Sequence, residues 1–242
     1  MVPKSPKVRP MRKKIFLCLI LVQSFLAEAR VYDFKKLYED LGYKKQTNYF
    51  NSTQDELMAI ESYIDKYDNF YGEINDFLRF YPKPYEWSGT GPEDAKWMVA
   101  GIDHIISKAP EIPSDIILFR GLTLKWRGNK AFSVGEEFLD KAFVSTSTTY
   151  SEAEYFAKGL SDPKRAKEKK ALFALYFDQE HVKGLMIDQG EDEIILNHGK
   201  KFRIMEKKVK AEYDLYLVQV CTNTCNSLVK RKEISSWWKT KN

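Results

Sequence analysis

Three consecutive acidic residues, Glu191, Asp192 and Glu193, stand directly before the apolar run Ile194-Ile195-Leu196. Side chains two positions apart on an extended backbone point the same way, so Glu191 and Glu193 are predicted to form a pair of carboxylates. Such a pair is unfavourable unless it serves a cation or a cationic transition state. Cleavage of a ribosyl bond passes through an oxocarbenium-like state, which one carboxylate can stabilise while its neighbour orients the incoming nucleophile. The alternative interpretation is an acidic turn before a strand.

Two other groups of residues in the same half of the chain have the chemistry to contact a ligand. Arg120 follows an apolar run that ends in Phe119, and an arginine there is costly unless its guanidinium meets an anion. Gly121 lets a ligand approach the backbone closely. The run Ser145-Thr146-Ser147 would present two hydroxyls on one face of a strand and one on the other. A structural ion pair for Arg120 and plain strand propensity for the hydroxyl run are the alternatives.

The elements that must position these residues change along the chain from helices to strands. From about residue 33 to 80 apolar residues recur at helical spacing, Thr53 and Glu56 have the spacing of a capping box, and Gly72 is predicted to separate two helices. A further helix is predicted over Pro92–Lys108. Short β-branched or aromatic runs then predict strands at 115–120, 141–147, 171–177, 185–187, 193–196, 202–205 and 213–220, with a hairpin turn at 197–199. Helices followed by strands indicate an α+β fold.

The first 29 residues are predicted to be a secretory signal peptide. A basic stretch leads into about a dozen apolar residues and then into Ala27-Glu28-Ala29, which has the pattern of a cleavage site. The apolar run is shorter than the roughly 20 residues of a membrane span, so no stable span is expected after processing. The remaining residues, 30–242, are predicted to form one domain, mainly helical over 30–110 and mainly β over 111–242.

The basic balance of the chain comes from the signal peptide. The whole chain carries 39 Lys and Arg residues against 34 Asp and Glu residues. The leader holds six of the basic residues and one of the acidic ones, so 33 of each remain after cleavage. A broad basic surface is therefore not expected, and no nucleic-acid partner is indicated.

Two of the three cysteines, Cys221 and Cys225, follow the signal peptide. An exported chain permits them to form a disulfide, although the small loop between them limits how much the bond would stabilise the fold. Two cysteines without clustered histidines do not complete the four ligands of a zinc site, so no metal is expected.

The order of these motifs resembles that of the R-S-E class of mono-ADP-ribosyltransferases, which includes bacterial exotoxins. Arg120-Gly121 comes first, F-x-S-T-S at 143–147 follows about 20 residues later, and E-x-E at 191–193 comes about 45 residues after that. Upstream, Tyr71-x-x-Ile74-Asn75-x-x-Leu78-Arg79 is similar to a helix motif of the actin-modifying toxins. The resemblance implies a helical N-terminal part, followed by a two-sheet mixed or antiparallel β core with a cleft for NAD⁺.

The resemblance gives the first two motifs roles in binding NAD⁺. Arg120 would bind the phosphates as a bidentate donor, and the backbone of Gly121 would hold the nicotinamide amide. Ser145 and Thr146 would support the ribose on the nicotinamide side and orient the catalytic glutamate. Ser147 would complete this cofactor-binding strand in a structural role.

The resemblance also assigns the carboxylates and the walls of the pocket. Glu193 would accept a hydrogen bond from the ribose 2′-hydroxyl and stabilise the oxocarbenium-like state, and Glu191 would engage the guanidinium of the target. Phe156, in a loop after the S-T-S motif, would stack on nicotinamide. The helix motif would contribute Tyr71, Asn75 and Arg79 to the wall of the pocket, with core packing as the alternative for Tyr71.

The implied function is that of a secreted, toxin-like virulence enzyme that transfers ADP-ribose from NAD⁺ to an arginine of a host protein and releases nicotinamide. In this class E-x-E implies arginine as acceptor, and the helix motif suggests actin as the protein. The loop 186–190 departs from the pattern, because it has no aromatic residue where such toxins carry one for target recognition. Entry into a target cell would rest on a separate delivery component. The alternatives are an NAD⁺ glycohydrolase of the same fold and a non-catalytic NAD⁺-binding module.

Overall fold

A computed structural model describes residues 33–43, 48–65, 70–82, 91–159, 167–177, 182–187 and 192–221, together with residues 225, 238 and 239. The predicted signal peptide therefore lies outside the described residues. Five helices precede the first strand of the described part: α1 (Phe34–Asp40), α2 (Asn48–Asn51), α3 (Gln54–Ile64), α4 (Phe70–Phe80) and α5 (Pro92–Lys108). None of the helices in these ranges combines the length and the apolar character needed to cross a membrane.

The starts of α3 and α5 follow directly from the sequence. Thr53 Oγ1 accepts a hydrogen bond from the Glu56 backbone N–H (3.3 Å), and Glu56 Oε2 accepts one from the Thr53 N–H (2.9 Å), which is the predicted capping box. Helix α5 has the predicted bounds, with Pro92 in its first turn. The predicted break at Gly72 is wrong, because this glycine lies inside α4. Burial of Ile74 and Phe77 on one face of α4 outweighs the modest helix penalty of a glycine.

Besides a short 3-10 helix at Lys125–Arg127, the rest of the described chain contains nine strands and one further helix. They are β1 (Glu111–Ile112), β2 (Leu118–Thr123), β3 (Glu137–Asp140), β4 (Val144–Ser147), α6 (Tyr150–Ala157), β5 (Lys170–Phe177), β6 (Val182–Ile187), β7 (Glu193–Leu196), β8 (Lys200–Val209) and β9 (Asp214–Cys221). Each of the seven predicted strands corresponds to one of these. Strands β1 and β3 were not predicted, because β1 has only two residues and β3 buries little besides its last residue. The segment after the S-T-S motif, predicted to be a loop, begins with α6.

The strands pair in the order β1-β6-β7-β4-β2-β5-β9-β8-β3. Strand β5 is central and pairs with β2 in antiparallel and with β9 in parallel orientation. Its side chains alternate between two apolar clusters, with Phe173 and Leu175 in the cluster shared with helices α3–α5 and with Leu172 and Ala174 in the cluster beneath α6. Burial on both faces accounts for its uninterrupted apolar sequence.

The α+β prediction is confirmed, and the sheet folds over on itself rather than dividing into two unconnected sheets. The pairing order is continuous, yet Phe138 of the terminal strand β3 contacts Phe173 of the central strand β5 at 6.1 Å between ring centres. Curvature therefore brings the end of β3 back toward the middle of the sheet. This return matters for the candidate site, because Asp140 is the last residue of β3.

The turn at 197–199 joins two strands that do not pair with each other. The predicted hairpin at 197–199 is wrong: β7 already pairs with β4 and β6 on its two edges, so β8 pairs with β9 and β3 instead. The turn itself is present, with Gly199 at a φ of 69°. At the end of β9, Cys221 and Cys225 form a disulfide, with their Cα atoms 4.9 Å apart.

Candidate active site

The S-T-S strand and the strand that follows the acidic run are direct neighbours. In the register of β4 and β7, Ser147 lies opposite Glu193, and Phe119 of β2 lies opposite Ser147 on the other side. Ser145 is two residues along β4 from Ser147, so it shares that face and reaches Glu193 diagonally. The Ser145 hydroxyl donates a short hydrogen bond to Glu193 Oε1. We refer to Ser145 and Glu193 as the glutamate pair.

The other two hydroxyls of the S-T-S motif make hydrogen bonds to backbone groups. Thr146 is buried, and its hydroxyl donates to the Ile194 carbonyl (2.7 Å), which ties β4 to β7. Ser147 Oγ accepts from the Thr149 N–H (2.9 Å) at the entry to α6. The Ser147 hydroxyl thus contacts the start of α6, and the Thr146 hydroxyl is engaged within the sheet.

Two arginines from distant parts of the chain share one carboxylate. Arg79 of α4 binds Asp140 in a bidentate manner, with Nε 3.1 Å from Oδ1 and Nη2 3.2 Å from Oδ2. Arg120 of β2 places Nη1 3.6 Å from Asp140 Oδ2. We refer to Arg79, Arg120 and Asp140 as the arginine cluster. It carries two positive charges and one negative charge, so it attracts an anion.

Arg120 is a buried cation. Its side chain is 12% exposed, and burial lowers the pKa of its guanidinium from the ordinary value. The negative charge of Asp140 opposes this shift, while the charge of Arg79 adds to it. The charge of Glu193 also acts on Arg120, so the glutamate pair and the arginine cluster lie in one electrostatic environment.

The phenol of Tyr63 is influenced by the charges of both groups, those of Glu193, Arg120 and Arg79. Its ring packs edge-on against Phe143 at 5.5 Å, and its phenol oxygen accepts a hydrogen bond from the Asn75 side chain (3.1 Å). Burial raises the pKa of the phenol, and the nearby charge of Glu193 raises it further. Tyr63 therefore stays neutral in this environment.

Asn75 of the helix motif joins α4 to its neighbours. Its Oδ1 accepts from the Phe143 N–H (3.0 Å), while its amide nitrogen donates to Tyr63. The residue is buried, and both ends of its side chain are engaged. In this arrangement Asn75 fixes α4 against Phe143, the residue directly before the strand that carries Ser145.

Gly121 is required by close packing of α6 on β2. A Cβ atom at this position would stand 2.0 Å from the Ala153 carbonyl oxygen and 2.5 Å from the Ala157 nitrogen. It would also stand 2.9 Å from Cβ of Phe156, so this aromatic residue lies next to Gly121 of strand β2 even though it belongs to a helix and not to a loop. Phe156 remains partly exposed, at 36%.

Two predicted site residues remain, Tyr71 and Glu191. Tyr71, in the first turn of α4, is 42% exposed, so it does not belong to the core. Glu191 lies outside the described residues. The assumption of an extended backbone from Glu191 to Glu193 is wrong, because Asp192 has a φ of 48°, in the left-handed region that Asp tolerates better than most residues.

Two residues of this arrangement were not expected from the sequence. Asp140 lies in a strand that no hydrophobic run marks, and Tyr63 has the spacing of an ordinary core residue of α3. The one available signal for Asp140 is that it closely precedes the F-x-S-T-S motif. A single carboxylate at that spacing does not identify its partners.

The arrangement suits a ligand with an anionic part and a part that becomes positively charged. The two guanidinium groups can donate several charge-assisted hydrogen bonds to phosphate oxygens. Glu193, oriented by Ser145, can stabilise a developing cation close by. Among the described residues, no three His, Cys, Asp or Glu side chains are grouped so as to hold a metal ion.

Comparison with known protein families identifies a ligand that has these two parts. The model of the ADP-ribosyltransferase exoenzyme family matches residues 33–224, which is most of the chain. The chain belongs to this family. Membership indicates a transferase of the toxin type that uses NAD⁺ as substrate. The arginine cluster fits this substrate, because its excess positive charge is of the kind that binds a diphosphate. No curated protein matches the chain in a sequence comparison.

Solved structures of ADP-ribosylating toxins share the fold of this ADP-ribosyltransferase. Vis, a toxin from Vibrio splendidus, in complex with agmatine is 22% identical over 78% of this chain and 85% of its own, with a TM-score of 0.59. The C3 exoenzyme of Clostridium limosum is 16% identical over 78% of this chain and 95% of its own, with a TM-score of 0.56. BECa of C. perfringens, solved with NADH, is 16% identical over 78% of this chain and 48% of its own, with a TM-score of 0.58.

Proposed function

We propose that this protein is a secreted mono-ADP-ribosyltransferase that transfers ADP-ribose from NAD⁺ to an arginine of a host protein. The observation that carries the proposal is the hydrogen bond from Ser145 to Glu193, made in the same electrostatic environment as the buried cation Arg120. A carboxylate fixed in this way is suited to stabilise a cation, while the arginine holds the phosphates of the same substrate.

The binding residues divide the substrate between them. Arg120 and Arg79 bind the diphosphate, since both guanidinium groups already converge on one anionic group, Asp140. The backbone of Gly121 holds the nicotinamide amide, and Phe156 beside it stacks on the nicotinamide ring. Tyr71 forms the outer edge of the pocket.

The chemistry exchanges one bond at ribose C1′ for another. The bond from C1′ to the nicotinamide nitrogen breaks, and its electron pair leaves with nicotinamide. Glu193 accepts a hydrogen bond from the ribose 2′-hydroxyl and stabilises the positive charge that develops on the ring. A nitrogen of the acceptor guanidinium then forms the new bond to C1′, and the proton that it loses passes to the carboxylate of Glu191.

Glu191 is the residue that selects an arginine acceptor, because its carboxylate can pair with a guanidinium. The proposal is supported by the E-x-E spacing and by the likeness to Vis, which has been solved with agmatine, a molecule that ends in a guanidinium group. Glu191→Gln should abolish transfer to agmatine while sparing most of the NAD⁺ hydrolysis. Equal loss of both activities, measured as labelled agmatine and as free nicotinamide, would contradict this division.

Secretion rests on the basic-then-apolar leader and on the Ala27-Glu28-Ala29 cleavage pattern. The mature enzyme would act on a host protein with an accessible arginine, and actin is the first candidate to test because of the helix motif in α4. A separate component would deliver the enzyme to its target cell.

The whole proposal can be tested with labelled NAD⁺ and a eukaryotic cell lysate. Incubation with the protein should release nicotinamide and label a discrete protein band, and the label should be removed by hydroxylamine, as expected for an arginine adduct. Glu193→Gln is the control, and it should abolish both signals. Nicotinamide release without any labelled acceptor, agmatine included, would contradict a transferase and indicate a glycohydrolase. NAD⁺ binding without release would indicate a binding module.

A further inference from the structure

We propose that Asp140 is a positioning residue that sets the spacing of Arg79 and Arg120 and thereby the affinity for the diphosphate of NAD⁺. The inference rests on the proposed function and deepens it. Asp140 acts through the two arginines and not on the reacting atoms, so its contribution belongs to binding rather than to turnover.

The contacts place Asp140 at the centre of the arginine cluster. Its side chain is 4% exposed, and its two oxygens take both close contacts from Arg79, at 3.1 and 3.2 Å, as well as the 3.6 Å ion pair with Arg120. Arg79 lies on helix α4 and Arg120 lies on strand β2, and β2 is not a neighbour of β3 in the sheet. One buried carboxylate therefore joins three elements that are distant in the chain.

Asp140 is itself firmly held, so it can serve as a fixed reference. Its Oδ1 accepts a hydrogen bond from the Ala142 N–H (3.1 Å), and its backbone pairs with Lys200 in the register of β3 and β8. Arg79 is further confined by the Trp126 ring at 5.6 Å and by an ion pair with Asp76 at 4.0 Å. These contacts hold the end of β3 against the end of α4. The ion pair with Asp140 keeps Arg120 close to both.

The charges explain why the carboxylate is needed. Two guanidinium groups in a buried site repel each other, and the charge of Arg79 and the charge of Asp140 act on Arg120 in opposite directions. With Asp140 between them, the two arginines stay close and the cluster keeps one net positive charge. Without that negative charge they would move apart, and a diphosphate would have to bring them together on binding.

The chain offers a matched control at the other end of β8. Asp214 is also buried, at 5% exposure, and it also pairs with two cations, Lys169 at 3.3 Å and Lys207 at 3.0 Å. On β8, Asp140 lies opposite Lys200 and Asp214 lies opposite Val209. These two positions are nine residue steps apart, on the order of 30 Å along the strand. Removing the charge of Asp214 should therefore cost comparable stability at a position away from the arginines.

The experiment compares the wild type with Asp140→Asn, Asp140→Glu and Asp214→Asn, using the full protein. Calorimetry gives the Kd for NAD⁺ and for ADP-ribose, which retains the diphosphate, and nicotinamide release gives KM and kcat. We expect Asp140→Asn to raise both Kd values and KM about tenfold, and to change kcat less than about threefold. Asp140→Glu keeps the charge one methylene further out, and should raise Kd only about threefold. Asp214→Asn should leave Kd unchanged while lowering the melting temperature.

Three results would overturn the inference. One is an unchanged or smaller Kd in Asp140→Asn, another is an equal rise of Kd in Asp140→Asn and Asp214→Asn, and the third is a loss confined to kcat. If Asp140→Asn does not fold, an unchanged Kd in Asp140→Glu would have the same force. A wild-type protein that neither binds nor cleaves NAD⁺ would instead contradict the proposed function, so the two failures are distinguishable.

Discussion

The glutamate pair and the arginine cluster are built in different ways. Ser145 and Glu193 stand on adjacent strands, where the hydrogen-bonded register of β4 and β7 fixes their separation. The arginine cluster joins a helix, a central strand and a terminal strand through side-chain ion pairs alone. Under the proposed function, the chemistry of this site would rest on local sheet geometry, whereas substrate affinity would rest on charge contacts between elements that are distant in the chain.

The largest expected effect removes the charge of the glutamate pair. Glu193→Gln should lower kcat for nicotinamide release by at least about 100-fold, because the amide cannot stabilise a developing positive charge. The KM for NAD⁺ should change little. Glu137→Gln, which removes a carboxylate paired with Lys201 and Arg203 on the outside of β3, is the matched control and should retain full activity. A residual kcat near that of the control would show that Glu193 does not carry the chemistry.

The arginine cluster should show the opposite behaviour. Arg120→Ala should weaken NAD⁺ binding about 10- to 100-fold in calorimetry, since hydrogen bonds to charged groups contribute about 1.5–3 kcal/mol. Arg127→Ala is the control, because Arg127 pairs with Glu136 and stacks on Phe132 instead of joining the cluster. Equal affinities in the wild type and in Arg120→Ala would remove Arg120 from the binding site.

A smaller effect tests how the glutamate pair is held. Ser145→Ala removes the hydrogen bond that orients Glu193 and should lower kcat about 3- to 10-fold, because Glu193 keeps its charge and loses only the group that orients it. Thr146→Ala breaks a hydrogen bond to the backbone of β7 and should lower the melting temperature more than kcat. If Ser145→Ala mainly lowered stability instead, the hydroxyl would be a structural residue like that of Thr146.

The smallest effect is confined to stability and lies away from the site. Burial alone would raise the pKa of Glu56, but hydrogen bonds from the Thr53 N–H, Lys108 and His104 outweigh it and lower that pKa. A lowered carboxylate pKa contributes stability that is present above the ordinary pKa of the group and is lost as pH falls through the folded-state value. Glu56→Gln should therefore melt at a lower temperature than the wild type at pH 7.

The same substitution should matter little in acid. The difference in melting temperature between Glu56→Gln and the wild type should shrink as the pH is lowered below about 4. NAD⁺ affinity should be the same in both proteins at neutral pH, because Glu56 contacts neither the glutamate pair nor the arginine cluster. A difference in melting temperature that stays constant with pH would contradict the lowered pKa.

Most of the fold could be predicted from local patterns. The capping box of α3, the bounds of α5 and the core strands follow from spacing and side-chain type, because burial on one or two faces imposes a strict periodicity. Features that depend on tertiary contact could not be predicted in this way. Strand β3 has little apolar character of its own, and the 197–199 turn gives no sign that the edges of β7 are already occupied.

The site shows the same division. Arg120, Ser145 and Glu193 could be named from motif order, but the partner that holds the arginines could not, since Asp140 reaches them only after the sheet has folded over. Gly121 was expected to let a ligand approach the backbone closely. In the structure, the lack of a side chain at this position lets α6 pack closely against β2. Thr146 was expected to support the ribose and to orient the glutamate, and the contact made by its hydroxyl is with the Ile194 carbonyl of β7.

The most direct test of the account measures NAD⁺ affinity and nicotinamide release on the same preparations of the wild type and of Glu193→Gln. We expect the variant to bind NAD⁺ with a Kd within about threefold of the wild type while releasing nicotinamide at least about 100-fold more slowly. Such a result would locate the chemistry at Glu193 and the affinity elsewhere. Loss of binding in step with loss of turnover, or turnover at the wild-type rate, would contradict it.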